Sequence, residues 1–251
     1  MIYNLKEEKM EIIKTADLTK RYKNLIAVDK LNLDIRQGEL FSLLGINGAG
    51  KTTTIKMLSC LAKPTSGDAW IGGNSVICDP LSVKRMIGVS PQETAVAFNL
   101  SVQENLELMC GIYGFSEEKR KNKIRELSQQ FHLEEILSKK AGKLSGGWQR
   151  RVSIAMALIT EPEILFLDEP TLGLDVIARS ELWDIIRGLK GKITMILTTH
   201  YMEEAEALSD RVGIMKNGKL LFVGTVPSLM EKTGETKFEE AFISVVKEGS
   251  V

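Results

Sequence analysis

The sequence predicts an α/β fold built on a phosphate-binding loop, and three observations predict it. Short, wholly apolar runs, "EILFLD" and "KITMIL", have the pattern of parallel strands buried on both faces. A glycine-rich stretch, "GINGAGKT" from Gly45 to Thr52, lies between a strand-like "ELFSLL" and a helix-like "TTTIKMLSCL". A long polar and amphipathic stretch, from about Ser101 to Lys140, interrupts the strand-rich pattern with helix.

The elements follow in chain order. Residues from about Glu11 to Leu44 alternate short β-type runs with turn signals such as "DIRQGEL", giving strands that end at Leu44. A helix is expected from about Lys51 to Ala62. "SGDAWIGG" and "SVICD" suggest two further strands, and "RMIGVSPQ" a strand ending in a proline turn. In the helical stretch Ile124, Leu127 and Phe131 fall on one face, and the preceding "EEKRKNK" reads as a solvated one. "LSGGWQRR" opens a helix whose apolar positions are Val152, Ala155, Met156 and Ile159, and strand and helix then alternate again. A small tail ends the chain.

Composition narrows the function. Lys plus Arg and Asp plus Glu both number 33, so there is no basic excess of the kind a nucleic-acid partner would favour. Cys60, Cys78 and Cys110 fit no metal spacing and read as reduced thiols of a cytosolic protein. No apolar run approaches the roughly 18 residues of a membrane span, and the charged start "MIYNLKEEKMEIIK" is not a signal peptide. Any membrane role is therefore expected to come from another chain. Met10 resembles a natural start, so residues 1–9 are expected to be a flexible extension.

The glycine loop is the strongest chemical signal. Its glycines let backbone N–H groups turn inward around phosphate oxygens, and the helix N-terminus adds positive potential. Lys51 is expected at the β/γ-phosphates and the Thr52 hydroxyl on Mg²⁺. In "ILFLDEP" the strand delivers Asp168 to the same Mg²⁺, and Glu169 follows, placed to orient or deprotonate an attacking water; a carboxylate pair that merely caps the next helix is the alternative. "LSGGWQ" puts Ser145, Gly146 and Gly147 at a helix N-terminus, a second phosphate site by the same physics. It has no lysine, and taken alone an N-cap serine explains it as well.

In this order the motifs resemble those of the ATP-binding subunits of ABC (ATP-binding cassette) transporters, over about Glu11 to Val223. They are "GINGAGKTT" (Walker A), "SPQ" with Gln92, "LSGGWQ" (the signature), "ILFLDE" (Walker B), "TLGLD" with Asp175, and "TTH" with His200. "SVQENLELMCGIYG", "LTTHYMEEAEALSDRVGIM" and "FEEAFISVV" look most like subunits serving exporters of drugs, antibiotics or polysaccharides.

The resemblance implies a P-loop NTPase core with an N-terminal antiparallel β subdomain. It implies an ABC ATPase domain over 10–225, a helical subdomain inserted at about 93–150, and a helical tail over 226–251. It also implies ATP and Mg²⁺ as cofactors, and a second nucleotide-binding subunit whose signature closes on the ATP held by this chain's Gly45, Asn47, Gly48, Ala49, Gly50, Lys51, Thr52 and Thr53. Tyr22 would stack on adenine, Gln92 would touch the metal or its water, and Asp175 would touch the facing subunit, with a helix N-cap its competitor. His200 would bond the γ-phosphate, whereas His132, with no motif around it, reads as structural or exposed.

Membrane-spanning permease subunits would hold the protein on the cytoplasmic face of the cell membrane. No nucleic-acid partner is implied: the phosphate loop and signature lie too close in sequence for the long coiled coils of DNA-structuring relatives, and ribosome-associated relatives carry two cassettes in one chain. A module that senses nucleotide without hydrolysing it would not need Glu169 and His200. The departure is Trp148, where the family more often has Gln or Met; Ser145 and the glycine backbone would still supply the phosphate contacts.

Overall fold

The computed structural model describes residues 10–248, so the expected extension at 1–9 lies outside the described residues. The chain opens with β1 (Glu11–Tyr22), β2 (Leu25–Leu31) and β3 (Asp34–Arg36), then β4 (Leu40–Leu44) and α1 (Lys51–Leu58). β5 (Ser66–Ile71), β6 (Asn74–Ser75), α2 (Pro80–Met86) and β7 (Ile87–Ser90) lead to the helical insertion, α3 (Val102–Ile112), α4 (Glu117–Phe131) and α5 (Gly146–Ala157). β8 (Ile164–Asp168), α6 (Val176–Leu189), β9 (Thr194–Thr199), α7 (Met202–Leu208), the hairpin β10 (Arg211–Lys216) and β11 (Lys219–Gly224), and helices α8 (Val226–Thr233) and α9 (Phe238–Glu248) complete it.

Two sheets result. The first is antiparallel, in the order β2-β1-β5-β6 with β3 also on β1. The second runs β11-β10-β4-β9-β8-β7, parallel except for its edge strand β11. Every residue of β4, β8 and β9 is buried, as the apolar runs required. Their side chains alternate between two cores. Leu40, Leu165, Leu167, Met195 and Leu197 join the core beneath α3, α4, α5 and α6. Phe41, Leu43, Ile164, Phe166 and Ile196 join the core shared with α1 and the antiparallel sheet. A one-residue slip of any of these strands would exchange its contributions to both cores, so register is fixed twice over.

Two local expectations need correction. "SVICD" is not a strand beyond Ser75. The Ser75 hydroxyl accepts the N–H groups of Ile77 (3.1 Å) and Cys78 (3.0 Å), turning the chain, and Asp79 then caps the unforeseen α2 with Pro80 in its first turn. α1 stops at Leu58 rather than Ala62, where the Ser59 hydroxyl bonds back to the Ile55 carbonyl at 2.7 Å and Cys60 takes φ 56°. The face formed by Ile124, Leu127 and Phe131 is buried as expected.

α7 is tied to α6 by a fully buried carboxyl. Trp183 Nε1 donates to Glu204 Oε1 at 3.1 Å, and burial pushes the Glu204 carboxyl up from its ordinary value. A folded-state pKa above the unfolded one means stability present at low pH and lost as pH rises above the ordinary carboxylate range. Glu204→Gln keeps the acceptor and cannot ionise. Its melting temperature relative to wild type should become more favourable between about pH 5 and about pH 8; the opposite trend would mean that the carboxylate is held charged.

Candidate nucleotide site

The parallel register decides what meets at the carboxyl edge of the second sheet. Leu44 is level with Thr199, Asp168 with Thr198, and Ser90 with Leu167. The residues that follow these strands, Gly45, His200, Glu169 and Gln92, therefore emerge at one edge, where open parallel sheets bind their ligands.

A cleft of about 730 Å³ opens there. Tyr22, Asn47, Gly48, Ala49, Gly50, Lys51, Thr52, Thr53, Gln92, Glu169 and His200 line it, all singled out by the sequence. Gly45 does not line the cleft; it lies behind the loop, where its carbonyl accepts Lys51 Nζ at 2.7 Å. Gly50 has φ 107°, and a Cβ there would stand 2.5 Å from the Ala27 carbonyl oxygen, so only glycine lets the loop close against β2.

The acidic pair is held from several sides. Asp168 Oδ1 accepts hydrogen bonds from the Thr52 hydroxyl (3.1 Å) and from the Thr198 hydroxyl, and Thr198 also receives the Glu169 N–H at 3.1 Å. Glu169 sits at φ 50°. Successive side chains of a strand point to opposite faces, and this left-handed residue breaks the alternation, bringing Glu169 into the cleft directly after Asp168. Its carboxylate lies between two cationic or hydrogen-bonding groups: Lys51 Nζ is 3.3 Å from Oε1 and His200 Nδ1 is 2.8 Å from Oε2. The Lys51 and Glu169 side chains are only 6% and 7% exposed, so their pairing is largely out of water.

Ser145, Gly146, Gly147 and Asp175 do not line this cleft. They form a neighbouring surface. Ser145 is in N-cap conformation, but its side chain makes no capping bond, and it is exposed at the start of α5. A Cβ on Gly147 would come within 3.0 Å of Ala178 Cβ in the first turn of α6. The signature and the loop of Asp175 are thus packed together. Asp175 does cap α6, accepting from Ala178 N at 2.9 Å, so its cap role is real whatever else it touches. Trp148 is engaged within its own chain: the Arg151 guanidinium lies 4.5 Å over its ring, in a second cleft between α4 and α6. His132 is an exposed residue ending α4 at φ 57°.

The sequence did not point to Thr198, to Leu25, Ile26 and Ala27, or to Leu172 and Asn217, all at or beneath the cleft. An Asn-Gly pair between "RVGIM" and "KLLFVG" signals a hairpin. Nothing local says that its Gly218 N–H will reach the Ala49 carbonyl at 3.0 Å and bring Asn217 to the phosphate loop.

A glycine loop wrapped around a buried lysine, facing strand-end carboxylates across a cleft, defines a nucleotide-binding cassette on a P-loop sheet. The sequence matches the ABC transporter family over residues 28–172, and the chain belongs to that family. It is 40% identical over 213 residues to the doxorubicin resistance ATP-binding protein DrrA of Mycobacterium tuberculosis, which is 84% of this chain and 64% of that protein's length. It is 39% identical over 223 residues to the daunorubicin/doxorubicin resistance ATP-binding protein DrrA of Streptomyces peucetius, covering 88% of this chain and 68% of the relative. Among solved structures, a dimeric ATP-binding cassette in a post-hydrolysis state, bound to ADP and Pi, superposes with a TM-score of 0.77 at 29% identity, over 85% of this chain and 98% of that one.

Lys51→Ala should lower ATP affinity by ~tenfold or more, read from titration with labelled ATP, because a charge-assisted contact is lost. It also strands the buried Glu169 carboxylate. Adding Glu169→Gln should return part of the lost thermal stability and leave the affinity below wild type, since no cation is restored; unchanged affinity in Lys51→Ala would remove the loop from the site.

Proposed function

We propose that this chain is the ATP-hydrolysing subunit of an exporter whose membrane-spanning subunits are separate chains. The observation that carries the reading is the convergence of Lys51, Asp168, Glu169 and His200 at one sheet edge beside the glycine loop. ATP would lie in the cleft with its phosphates against the N–H groups from Asn47 to Thr53, Lys51 at the β- and γ-phosphates, and the exposed Tyr22 ring against adenine. That an exporter is served, and of drug-like cargo, is supported by the names of the two DrrA relatives. Among the described residues no helix is long and apolar enough to cross a membrane, so attachment to a membrane would run through the permease partners.

The donor set suits Mg²⁺. Thr52 Oγ1 and Asp168 Oδ1 are hard oxygen donors 3.1 Å apart, with Gln92 on the same cleft. Among the described residues there is no cluster of three or more His, Cys, Asp or Glu that would cage a metal, which fits an ion that takes much of its shell from water and phosphate. When bound, Mg²⁺ supplies positive charge to the β- and γ-phosphate oxygens.

Hydrolysis is an in-line attack of water on the γ-phosphate, catalysed mainly by positioning and charge. A γ-phosphate competes with the Glu169 carboxylate for the Lys51 ammonium. Its arrival draws Lys51 toward the phosphate and leaves Glu169 to take the proton of the attacking water. His200 holds Glu169 Oε2 through Nδ1. This leaves Nε2 as the ring atom for the γ-phosphate.

Ser145, Gly146 and Gly147 face outward beside the site rather than into it, and we assign them to the γ-phosphate held by a second cassette, with Asp175 in the same contact. That a similar cassette is dimeric and bound to ADP and Pi supports a second cassette as the partner.

Two experiments test the reading. Glu169→Gln should bind ATP, accumulate as an ATP-dependent dimer in size-exclusion chromatography, and turn over ~10²-fold more slowly, the scale of general-base loss; turnover near wild type would take the base role from Glu169. Ser145→Arg should bind ATP as a monomer and not hydrolyse it. Mixed with Lys51→Ala, it can assemble one complete site from an intact loop and an intact signature. Activity, or ATP-dependent cross-linking of the mixed pair, should then appear and rise with protein concentration. Normal hydrolysis by Ser145→Arg alone would make the signature an ordinary helix cap.

A further inference from the structure

His200 stands between two clefts. Its Nδ1 meets Glu169 Oε2 at 2.8 Å, and its ring lines the nucleotide cleft. The same ring also lines a second cleft of about 630 Å³, which reaches Phe238 at the start of α9. One hydrogen bond does not by itself keep a side chain from turning to another rotamer in open space. The residue that stands against the imidazole is Tyr201. It occupies the N-cap of α7, where Ser, Thr, Asp or Asn is favoured because a short side chain can bond the first turn. The Tyr201 side chain makes no such bond. Its ring lies 4.1 Å from the imidazole, centroid to centroid and tilted by 39°. Its N–H donates to Thr199 Oγ1 at 3.0 Å, so the backbone is tied across His200 from one neighbour to the other.

The tyrosine is held in turn from α6. The Arg179 guanidinium lies 4.5 Å over its ring, inside the roughly 6 Å over which a cation and an aromatic face attract. Arg179 has little else to hold it there. Its side chain is 20% exposed, its Nε has no hydrogen-bond partner among the described residues, and its ion pair with the exposed Glu203 is loose at 3.8 Å. A buried donor left unpaired is rare, and a surface ion pair of that length contributes little, so the Tyr201 ring is the contact that accounts for the arginine. We infer that Tyr201 is a positioning residue for His200, with Arg179 clamping its ring, and that the pair keeps the imidazole on Glu169 in the nucleotide cleft and out of the second cleft. This rests on the role proposed for His200 above. Neither Tyr201 nor Arg179 lines the nucleotide cleft, so the pair acts on the placement of a reacting group and not on the binding of ATP.

The test reads the position of the ring directly. The chain has two histidines, His132 and His200, so their ring C–H signals can be followed by NMR at one fixed pH, with His132→Gln assigning them. Tyr201→Ala removes the stacked ring and should move the His200 signals by more than a linewidth. Arg179→Met should also move them, but not in the Tyr201→Ala background, because the arginine acts through the tyrosine. In turnover, Tyr201→Ala should lower kcat by ~tenfold, the scale of a misplaced catalytic group. Labelled-ATP affinity should stay within about twofold. Tyr201→Phe keeps the ring and should stay near wild type in both readouts. If Tyr201→Ala does not melt cooperatively, Tyr201→Leu replaces it, keeping bulk without an aromatic face. Four results overturn the clamp: unmoved His200 signals without the ring, a Phe variant no better than Ala, an Arg179→Met effect that persists without the tyrosine, or an affinity loss that matches the loss in turnover. If the wild-type chain does not hydrolyse ATP, the failure lies with the ATPase reading, and the spectra still decide the clamp.

Discussion

The site depends on one constraint, the shared register of β4, β9 and β8. These strands contribute no reactive group except Asp168, yet they decide where every reactive group stands. Their hydrogen bonds put Leu44, Thr199 and Asp168 at a common edge; of the residues that follow, His200 and Glu169 line the cleft and Gly45 lies just behind it. The alternation of their side chains between two cores holds that register far more firmly than the polar contacts above it. Burying an aliphatic or aromatic side chain stabilises by about 1.5–3 kcal/mol, and ten such side chains from these three strands are divided between the two cores. A polar cleft containing a left-handed glutamate and a desolvated ion pair is tolerable on such a base.

The helical insertion obeys a different logic. It shares an apolar core with the sheet and is fastened by specific polar contacts as well. Lys123 of α4, 6% exposed, bonds Glu126 beside it and Glu161 in the turn after α5, at 2.9 and 2.7 Å. Arg150 and Ser153 fasten α5 to the end of β7. Gln149 Nε2 bonds the carbonyls of Ala141 and Leu144, bracing the approach to the signature. The shared core resists sliding without repacking, and the directional contacts add a defined orientation of α5 on the end of β7.

The parts legible in the sequence are those whose physics is local. A glycine loop between strand and helix, apolar runs ending in Asp-Glu or Thr-His, and a Ser-Gly-Gly helix start each need only their neighbours to be recognised. The structure brings the glycine loop, Glu169 and His200 together on one cleft, with Gly45 just behind it, and leaves Ser145, Gly146 and Gly147 outside it. What escaped notice depends on chain separation. Thr198 matters because β9 lies beside β8, and Asn217 because a hairpin touches Ala49. The "SVICD" error has the reverse origin: its apolar residues are real, with Val76 buried, but a single serine hydroxyl bending the backbone outweighs β propensity over so short a stretch.

On the reading proposed above, the Lys51–Glu169 pair explains why such a site need not be active whenever it is folded. Two charges 3.3 Å apart and almost entirely out of water would be costly to separate, and each is costly to leave alone. A ligand that takes the lysine must compensate it with negative charge at the same place, and a terminal phosphate does so where a neutral or shorter ligand would not. The glutamate would then keep its contact with His200 at Oε2. On that reading the group proposed to recognise the phosphate also restrains the proposed base until the phosphate has arrived. In the proposed pairing the opposite wall of the site is a helix N-terminus, which would add hydrogen-bond donors and partial positive charge beside the water.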